Sequence, residues 1–287
     1  LEIPFQLKND IILIEASINN DKTLRTFVFD TGATSDVLDS NLAKELGLRP
    51  NYKQDVPGAG GISSVDIVLN QKLRLSQNVV ITNSNLVLLD LSRLKRKLEK
   101  SFDGIIGYSL LRTYTTKIDY DNQKILLYQK VKDINTEGYT KIPFTFKKNV
   151  RIPQFKVSIT LNSDSTYDGT VFFDSGAALT LTVNTPFNEK HKLDKIAGKT
   201  LISKTENLNT SSFSKEIAIT SMQLGSFELN DTVISLANDA YGVSSYKNYL
   251  GILGAKVISR FNLILDYSNM ILYLKPNSRF ERPFEFP

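Results

Sequence analysis

The sequence predicts a mainly β protein made of two pseudo-symmetric β-barrel lobes with a few short helices. Short apolar segments rich in β-branched residues alternate with turn residues along the chain, and helical periodicity is confined to a few short segments. In addition, landmarks of the first half recur in the same order in the second half. We place the lobes at residues 1–135 and 136–287, with the boundary in the polar stretch 132–140.

The repeat begins at the start of each predicted lobe. Glu-Ile-Pro-Phe at residues 2–5 matches Lys-Ile-Pro-Phe at residues 141–144. Each is followed by a stretch with the alternation of a half-buried strand, at residues 11–18 and 155–161. The two halves therefore open with equivalent strands.

An acidic signature follows the next apolar strand in each half. Phe-Val-Phe leads into the first copy and Val-Phe-Phe into the second, 144 residues later. The two copies are Asp30, Thr31, Gly32 and Ala33, and Asp174, Ser175, Gly176 and Ala177. Because both copies precede alanine and occupy the same place in the repeat, we favour a paired site over the alternative that they are only turns closing two hairpins.

Two later landmarks recur 147 residues apart. Gly-Ile-Ile-Gly at residues 104–107 matches Gly-Ile-Leu-Gly at 251–254, and the Asp-Tyr pair beginning at Asp119 matches the pair beginning at Asp266. Each of these aspartates stands before a turn that joins two strands, so we interpret Asp119 and Asp266 as turn residues. Four landmarks at nearly constant spacing indicate an internal duplication of a β-rich unit.

Three short helices are predicted between the strands. Asp39 or Ser40 can cap a helix over residues 41–46. Leucines at the spacing i, i+3, i+7 predict an amphipathic helix over residues 91–98, whose basic face we expect to be solvated. Thr185 followed by proline starts a third helix.

Composition excludes several classes of chemistry. The chain has no cysteine and one histidine, His191, which excludes thiol catalysis, thiolate zinc sites and multi-histidine metal sites. We expect His191 to be exposed on a helix. The net charge of +5 is spread along the chain, which does not indicate nucleic-acid binding, and no apolar run reaches the ~18 residues of a transmembrane segment. Any chemistry is therefore expected to use carboxylates, with no metal and no cofactor.

Over nearly its whole length the sequence resembles the pepsin-like and retropepsin-like aspartic proteases. The resemblance lies in the Asp-Thr/Ser-Gly signatures and in the apolar-apolar-Gly strands ending at Gly107 and Gly254. The local sequences, Asp-Thr-Gly-Ala and Gly-Ile-Ile-Gly-Tyr-Ser-Leu-Leu from Gly104, are more similar to retropepsins than to pepsin, and the spacing of the short helices resembles bacterial retropepsin-like sequences. The resemblance implies two acid-protease β-barrel lobes in one monomeric chain, with the active site in the cleft between them. It also implies an aspartic endopeptidase that hydrolyses peptide or protein substrates with Asp30 and Asp174 as its catalytic pair.

The resemblance also implies roles for the neighbours of the two aspartates. The hydroxyls of Thr31 and Ser175 would bond across the two loops, and Gly32 and Gly176 would allow the tight turn that points N–H groups at the carboxylates. Ala33 and Ala177 would line the substrate site, and they stand where pepsin commonly has a hydroxyl residue. Because fewer donors then stabilise the charged carboxylates, we expect raised pKa values and activity at a less acidic pH than pepsin's.

A cover for the cleft is predicted in the first half. Residues 56–62 form a glycine-rich stretch before a strand, at the position of the family's flap, and we expect Gly58, Ala59, Gly60 and Gly61 to contact substrate. A plain hairpin tip is the alternative. The corresponding stretch of the second half, residues 204–214, has no glycine, which predicts two unequal flaps.

Two other functions stay open at this point. One is a peptide-binding module that keeps the duplicated fold without turnover, and the other is a two-carboxylate glycosidase. The absence of tryptophan and the turn-borne aspartates make the glycosidase the weakest of the three. Because the chain begins at Leu1 without methionine, we expect an exported protein whose signal segment is missing from this sequence.

Overall fold

The structure, a computed structural model, describes residues 1–58, 61–98, 101–147, 150–162, 165–196, 200–206, 211–239 and 242–284. It is mainly β, as the sequence predicts, with short helices between strands. No helix in these ranges is long and apolar enough to cross a lipid bilayer.

The first half contains eleven strands and three helices within the described ranges. In chain order they are β1 (Glu2–Pro4), β2 (Gln6–Lys8), β3 (Ile11–Ile18), β4 (Arg25–Phe29), β5 (Asp36–Asp39), α1 (Ser40–Glu45), β6 (Tyr52–Gly58), β7 (Gly61–Arg74), β8 (Val80–Leu89), α2 (Ser92–Leu98), β9 (Gly104–Ile106), α3 (Tyr108–Leu111), β10 (Thr115–Asp119) and β11 (Lys124–Tyr128).

The second half repeats the order of the strands, but its helices differ. Its described part contains β12 (Thr140–Pro143), β13 (Thr145–Lys147), β14 (Val150–Thr160), β15 (Thr166–Phe173), β16 (Leu181–Val183), α4 (Thr185–His191), α5 (Leu193–Ile196), β17 (Thr200–Glu206), β18 (Ser211–Leu224), β19 (Phe227–Ala237), β20 (Gly251–Leu253), α6 (Ala255–Ile258), β21 (Phe261–Asp266) and β22 (Ile271–Pro276). It has two helices after β16 and, in its described part, no α-helix between β19 and β20.

Two eight-stranded sheets have the same strand order. The first runs β2-β3-β4-β9-β5-β8-β7-β6 and the second β13-β14-β15-β20-β16-β19-β18-β17. A third sheet of six strands, β1-β11-β10-β21-β22-β12, draws on both halves and joins them through the antiparallel pair β10 and β21. The two halves are therefore tied by backbone hydrogen bonds, and the boundary between residues 135 and 136 stays a prediction.

The predicted helices begin close to the expected residues. The Asp39 carboxylate accepts hydrogen bonds from the N–H groups of Asn41 and Leu42, which caps α1. Gly47, with a φ of +67°, follows the end of that helix, where a left-handed conformation favours glycine. Helix α4 begins at Thr185 and carries proline in its first turn.

Side chains alternate between the two faces of the sheet along the strands that precede the signatures, and this alternation decides which face carries Asp30 and Asp174. Phe29 and Phe173 are buried in the main hydrophobic core, whereas Val28 belongs to a separate cluster on the opposite face of its sheet. Side chains two residues apart on a strand share a face. Asp30 and Asp174 therefore project away from the main core.

Candidate active site

Each aspartate is held where one strand ends beside a parallel neighbour. The Asp30 N–H donates to the Ile106 carbonyl at 2.9 Å, and the Asp174 N–H donates to the Leu253 carbonyl at 3.0 Å. Strand β9 runs parallel to β4, and β20 runs parallel to β15. The apolar-apolar-Gly strands thus fix the start of both signature loops.

The two loops bring the carboxyl groups of Asp30 and Asp174 together. A Cβ atom built on Gly32 would lie 2.5 Å from Cγ of Asp174, and one built on Gly176 would lie 2.5 Å from Oδ2 of Asp30. Each carboxyl therefore rests against the glycine of the opposite loop, where any side chain would overlap it. The two carboxyls are close enough for the charge of Asp30 to raise the pKa of Asp174.

The main chain of each loop points at its own aspartate. The Gly32 N–H donates to Oδ1 of Asp30 at 2.6 Å, and the Gly176 N–H donates to Oδ1 of Asp174 at 3.0 Å. These donors stabilise the charged form of each carboxyl. The structure therefore has the turn geometry that the resemblance implied for the two glycines.

Thr31 and Ser175 link the two loops through hydrogen bonds that run in both directions. The Thr31 N–H donates to Ser175 Oγ at 3.0 Å, and the Ser175 N–H donates to Thr31 Oγ1 at 2.9 Å. Each hydroxyl then donates to a carbonyl of the opposite half, Thr31 to Phe173 at 2.8 Å and Ser175 to Phe29 at 3.3 Å. Both side chains are buried, so this network fixes the spacing between the loops that carry the carboxyls.

The environment raises the pKa of both aspartates. For Asp174, burial and then the charge of Asp30 hold the pKa well above its ordinary value. For Asp30, burial raises the pKa, while hydrogen bonds from Gly32, Asp174 and Gly176 oppose the rise. Two carboxyls in contact cannot both ionise easily, so the pair shares one proton over a range of pH and titrates as a unit.

The raised pKa of Asp174 should make the stability of the fold depend on pH. Because the folded state keeps the proton to a higher pH than the unfolded state, ionisation costs stability as the pH rises above the ordinary Asp value of about 3.9. Asp174→Asn removes that cost. We expect a higher melting temperature than the wild type at pH 7 and a gain that shrinks towards pH 3, measured by thermal unfolding at several pH values. An equal gain at both pH values would contradict this.

Ala33 and Ala177 follow the loops and take part through their backbone. The Ala33 carbonyl accepts from the Tyr108 N–H at 3.1 Å, and the Ala177 carbonyl accepts from the Ala255 N–H at 2.8 Å. Their methyl groups provide no hydroxyl donor to the carboxyls. Contact of these two residues with substrate stays a prediction.

The hairpin of β6 and β7 contains the predicted flap. Gly58 and Gly61 face each other across the hairpin, and Ala59 and Gly60 lie outside the described residues. In the second half, β17 and β18 form the corresponding hairpin, and its residues 207–210 also lie outside the described ranges. The flap role and the inequality of the two flaps stay predictions.

Sequence reasoning missed a buried carboxyl, Asp36, that supports the first loop. Asp36 accepts from Ser84 Oγ at 2.5 Å and from the Gly107 N–H at 3.2 Å, and burial raises its pKa. A side chain on Gly107 would overlap the Asp30 carbonyl oxygen. In the second half a backbone carbonyl takes the place of the Asp36 carboxyl as acceptor. The Gly254 N–H, equivalent to that of Gly107, donates to the Thr180 carbonyl at 2.9 Å.

The expectation that His191 is exposed is wrong. His191 lies on α4 as predicted, but it is partly buried, with its ring 4.5 Å from that of Phe187 and 5.0 Å from that of Tyr167. Burial and the nearby Lys190 charge lower its pKa. The two aromatic rings come from separate strand and helix positions, so the polar sequence around His191 did not reveal the packing.

The turn interpretation of Asp119 and Asp266 agrees with their contacts. Asp119 accepts from the backbone and side-chain N–H groups of Asn122, and Asp266 accepts from those of Asn269. Within the described ranges, no group of three or more His, Asp or Glu residues is arranged to hold a metal ion.

Residues 14–110 match a protein family described as aspartyl protease. This part of the chain is therefore similar to an aspartic protease family. The match runs from β3 through β9. It includes Asp30, the first aspartate of the pair, and Gly107, which packs against the Asp30 carbonyl. A search of curated proteins finds no match to the chain. The match supports a protease-type function in general terms.

Proposed function

We propose that the chain is an aspartic endopeptidase whose catalytic pair is Asp30 and Asp174. The observation that carries the proposal is the proximity of two carboxyls from two equivalent loops, each resting against the opposite glycine. Such a pair holds one proton in a partly buried site, and this is the protonation state that general acid–base hydrolysis requires.

The reaction needs only the two carboxyls and a water molecule. The ionised member of the pair takes a proton from the water, which attacks the peptide carbonyl, while the protonated member donates to the carbonyl oxygen. Collapse of the tetrahedral intermediate breaks the C–N bond, and a proton from the pair reaches the leaving amine. Because the two loops are nearly equivalent, acid and base roles belong to the pair rather than to one residue.

The network of Thr31 and Ser175 supports this chemistry by positioning. Its four hydrogen bonds cross between the halves directly beneath the loops. Reacting groups must be held within a fraction of an ångström for efficient catalysis. A buried network that fixes the loop spacing provides such a constraint.

The direct test is peptide cleavage by the wild-type protein. We expect a mixed peptide library to be cleaved at internal bonds between pH 3 and pH 8, and a statine-type transition-state mimic to inhibit that cleavage. No cleavage anywhere in this range would contradict the proposal and favour the binding module without turnover. The expected export of the protein and its monomeric state stay predictions, tested by cell fractionation and light scattering.

The pH dependence of cleavage follows from the pKa directions. One carboxyl must be protonated and the other ionised, so the active range lies between the two apparent pKa values of the pair. Burial raises both, and the methyls of Ala33 and Ala177 add no donor to the charged form. We expect an optimum less acidic than pepsin's in a kcat/KM profile. An optimum near about pH 2 would contradict this expectation.

A further inference from the structure

A basic cavity in the second half lies on the same sheet face as Asp174. The cavity has a volume of about 570 Å³. Its polar and aromatic lining includes Lys156, Lys190, Lys247, Thr170 and Tyr249. The three lysines are exposed, and none of them forms an ion pair with any described residue. The only carboxylate in the lining, Asp168, is held by Ser158 Oγ at 2.5 Å.

Strand β15 connects this cavity to the candidate active site. Asp174, Phe172 and Thr170 alternate along the chain and therefore share one face. Thr170 is opposite Lys156 in the β14–β15 pairing, so Lys156 points to that face as well. At ~3.3 Å per residue, Thr170 lies about 13 Å from Asp174, the span of roughly four residues of an extended peptide.

Aromatic stacking connects the cavity to the strand that leads to Asp174. The ring of Tyr249 stacks on that of Phe172, with centroids 4.5 Å apart and an interplanar angle of 20°. The Tyr249 hydroxyl donates to Gln154 Oε1 at 2.9 Å, and Gln154 is buried. Tyr249, which lines the cavity, therefore packs against the residue two positions before Asp174.

The equivalent place in the first half carries the opposite charge. Glu15 pairs with Thr26, four residues before Asp30, as Lys156 pairs with Thr170, four residues before Asp174. The sixth residue after the cap also differs in sign, Glu45 in α1 and Lys190 in α4, whereas the fifth residues, Lys44 and Glu189, differ in the opposite sense.

The local balance of charge confirms the contrast between the halves. In the first half, Arg25 bridges Asp21 at 3.3 Å and Glu45 at 3.5 Å. Around the second-half position, three lysines stand against the single Asp168. A peptide could enter a nearly symmetric cleft in either direction, and opposite charges at its two ends would favour one of them.

We propose that the cavity formed by Lys156, Lys190 and Lys247 binds an acidic side chain of the peptide substrate, three to five residues from the scissile bond on one side only. This inference rests on the proposed aspartic endopeptidase function and names its substrate class: peptides with an acidic residue near one end of the bound segment. The charged first-half position would tolerate or favour a basic residue at the other end.

The test uses matched statine-type peptides that carry either Glu or Gln at the third, fourth or fifth residue on each side of the statine. Affinity for the wild-type protein is measured by calorimetry. We expect the Glu peptide to bind about 3- to 10-fold more tightly than its Gln partner at one position on one side, the range for a few exposed ion pairs. The preference should fall in 0.5 M salt, where the Debye length is below about 5 Å.

Variants assign the preference to the cavity. The triple substitution Lys156→Gln, Lys190→Gln and Lys247→Gln should make the Glu and Gln peptides bind equally. Lys130→Gln, at an exposed lysine that follows strand β11 and does not line the cavity, is the matched control and should keep the preference.

Each outcome separates the two proposals. Equal binding of all Glu and Gln pairs to the wild type, or a preference that survives in the triple variant, would overturn the cavity proposal and leave the endopeptidase function standing. If no statine peptide binds and no peptide is cleaved, the endopeptidase function fails, and the cavity proposal that rests on it fails too.

Discussion

Asp30→Asn and Asp174→Asn are each expected to lower kcat/KM by at least ~10³-fold, within the range for loss of a general acid–base group. Asparagine keeps the shape of the side chain and its ability to accept from Gly32 or Gly176, but it cannot take up or release the proton that the pair shares. Because both carboxyls are needed for one protonated and one ionised group, the two substitutions should be similarly severe. Steady-state cleavage of one library-derived peptide measures both.

Asp119→Asn provides the matched control for this experiment. Asp119 is an aspartate of the same repeat, but its carboxylate only closes a turn with Asn122, and asparagine can accept the same backbone hydrogen bond. We expect its activity to stay within about twofold of wild type. Thermal unfolding of all variants separates loss of chemistry from loss of fold. If either dyad variant keeps activity within tenfold of wild type, the two-carboxyl mechanism is wrong.

The signature loops were predictable from the sequence because their geometry is local. Each signature consists of three apolar residues followed by Asp-Thr/Ser-Gly-Ala, and this pattern specifies a buried strand followed by a tight turn. The turn alone decides where the N–H of Gly32 points. Strand β3 over Ile11–Ile18 has the bounds that its alternation predicts. The second predicted stretch, residues 155–161, lies at the end of a longer strand, β14 (Val150–Thr160). The local pattern therefore locates a strand better than it sets the strand's bounds.

The six-stranded sheet and Asp36 show where the sequence provides too little information. The sheet pairs Ile118 with Leu263 and Ile3 with Ile125, partners more than a hundred residues apart with no pattern that specifies their register. Asp36 looks like an ordinary polar residue after the signature. Its role depends on Ser84 and Gly107, which only the folded chain places beside it.

The basic cavity was not predicted for a related reason. Its three lysines are spread over some ninety residues of a chain whose positive charge is evenly distributed. The signal was present in the repeat, because Glu15 and Lys156 occupy equivalent places once the strands are aligned through their pairing. Equivalent charges in the two copies can be compared only when the strand pairing is known. The spacing of the motifs aligns the two copies only to within a few residues.

Removal of the hydroxyls that link the two loops is expected to have the largest effect on stability. Thr31→Val keeps the shape of the side chain but leaves the Ser175 N–H and the Phe173 carbonyl without their partner. Each buried polar group left unpaired costs about 1–3 kcal/mol, so we expect the free energy of unfolding to fall by about 2–4 kcal/mol in urea denaturation. Ser175→Ala should cost a similar amount through the Thr31 N–H and the Phe29 carbonyl.

The double variant and a matched threonine decide whether the network acts as a unit. Once one hydroxyl is removed, the loops can separate and water can reach the remaining groups, so the double variant should cost less than the two single losses together, by about 1–3 kcal/mol. Thr232→Val is the control, because this buried hydroxyl donates to Leu229 within one half and should cost about 1 kcal/mol. Equal losses for Thr31→Val and Thr232→Val would contradict a linking role.

Activity gives the same network a second readout. Displacement of the loops should lower kcat by about 10- to 100-fold, because a misplacement of ~1 Å can cost that much, while KM changes little. Thr31→Ser and Ser175→Thr keep a hydroxyl at each position and should restore both stability and kcat to near wild-type values. A purely structural hydroxyl would lower stability without this effect on kcat at temperatures where the variant is folded. If the network positions the two carboxyls, variants that lose the coupling energy between Thr31 and Ser175 should also lose kcat. Variants that restore the hydroxyls should regain both.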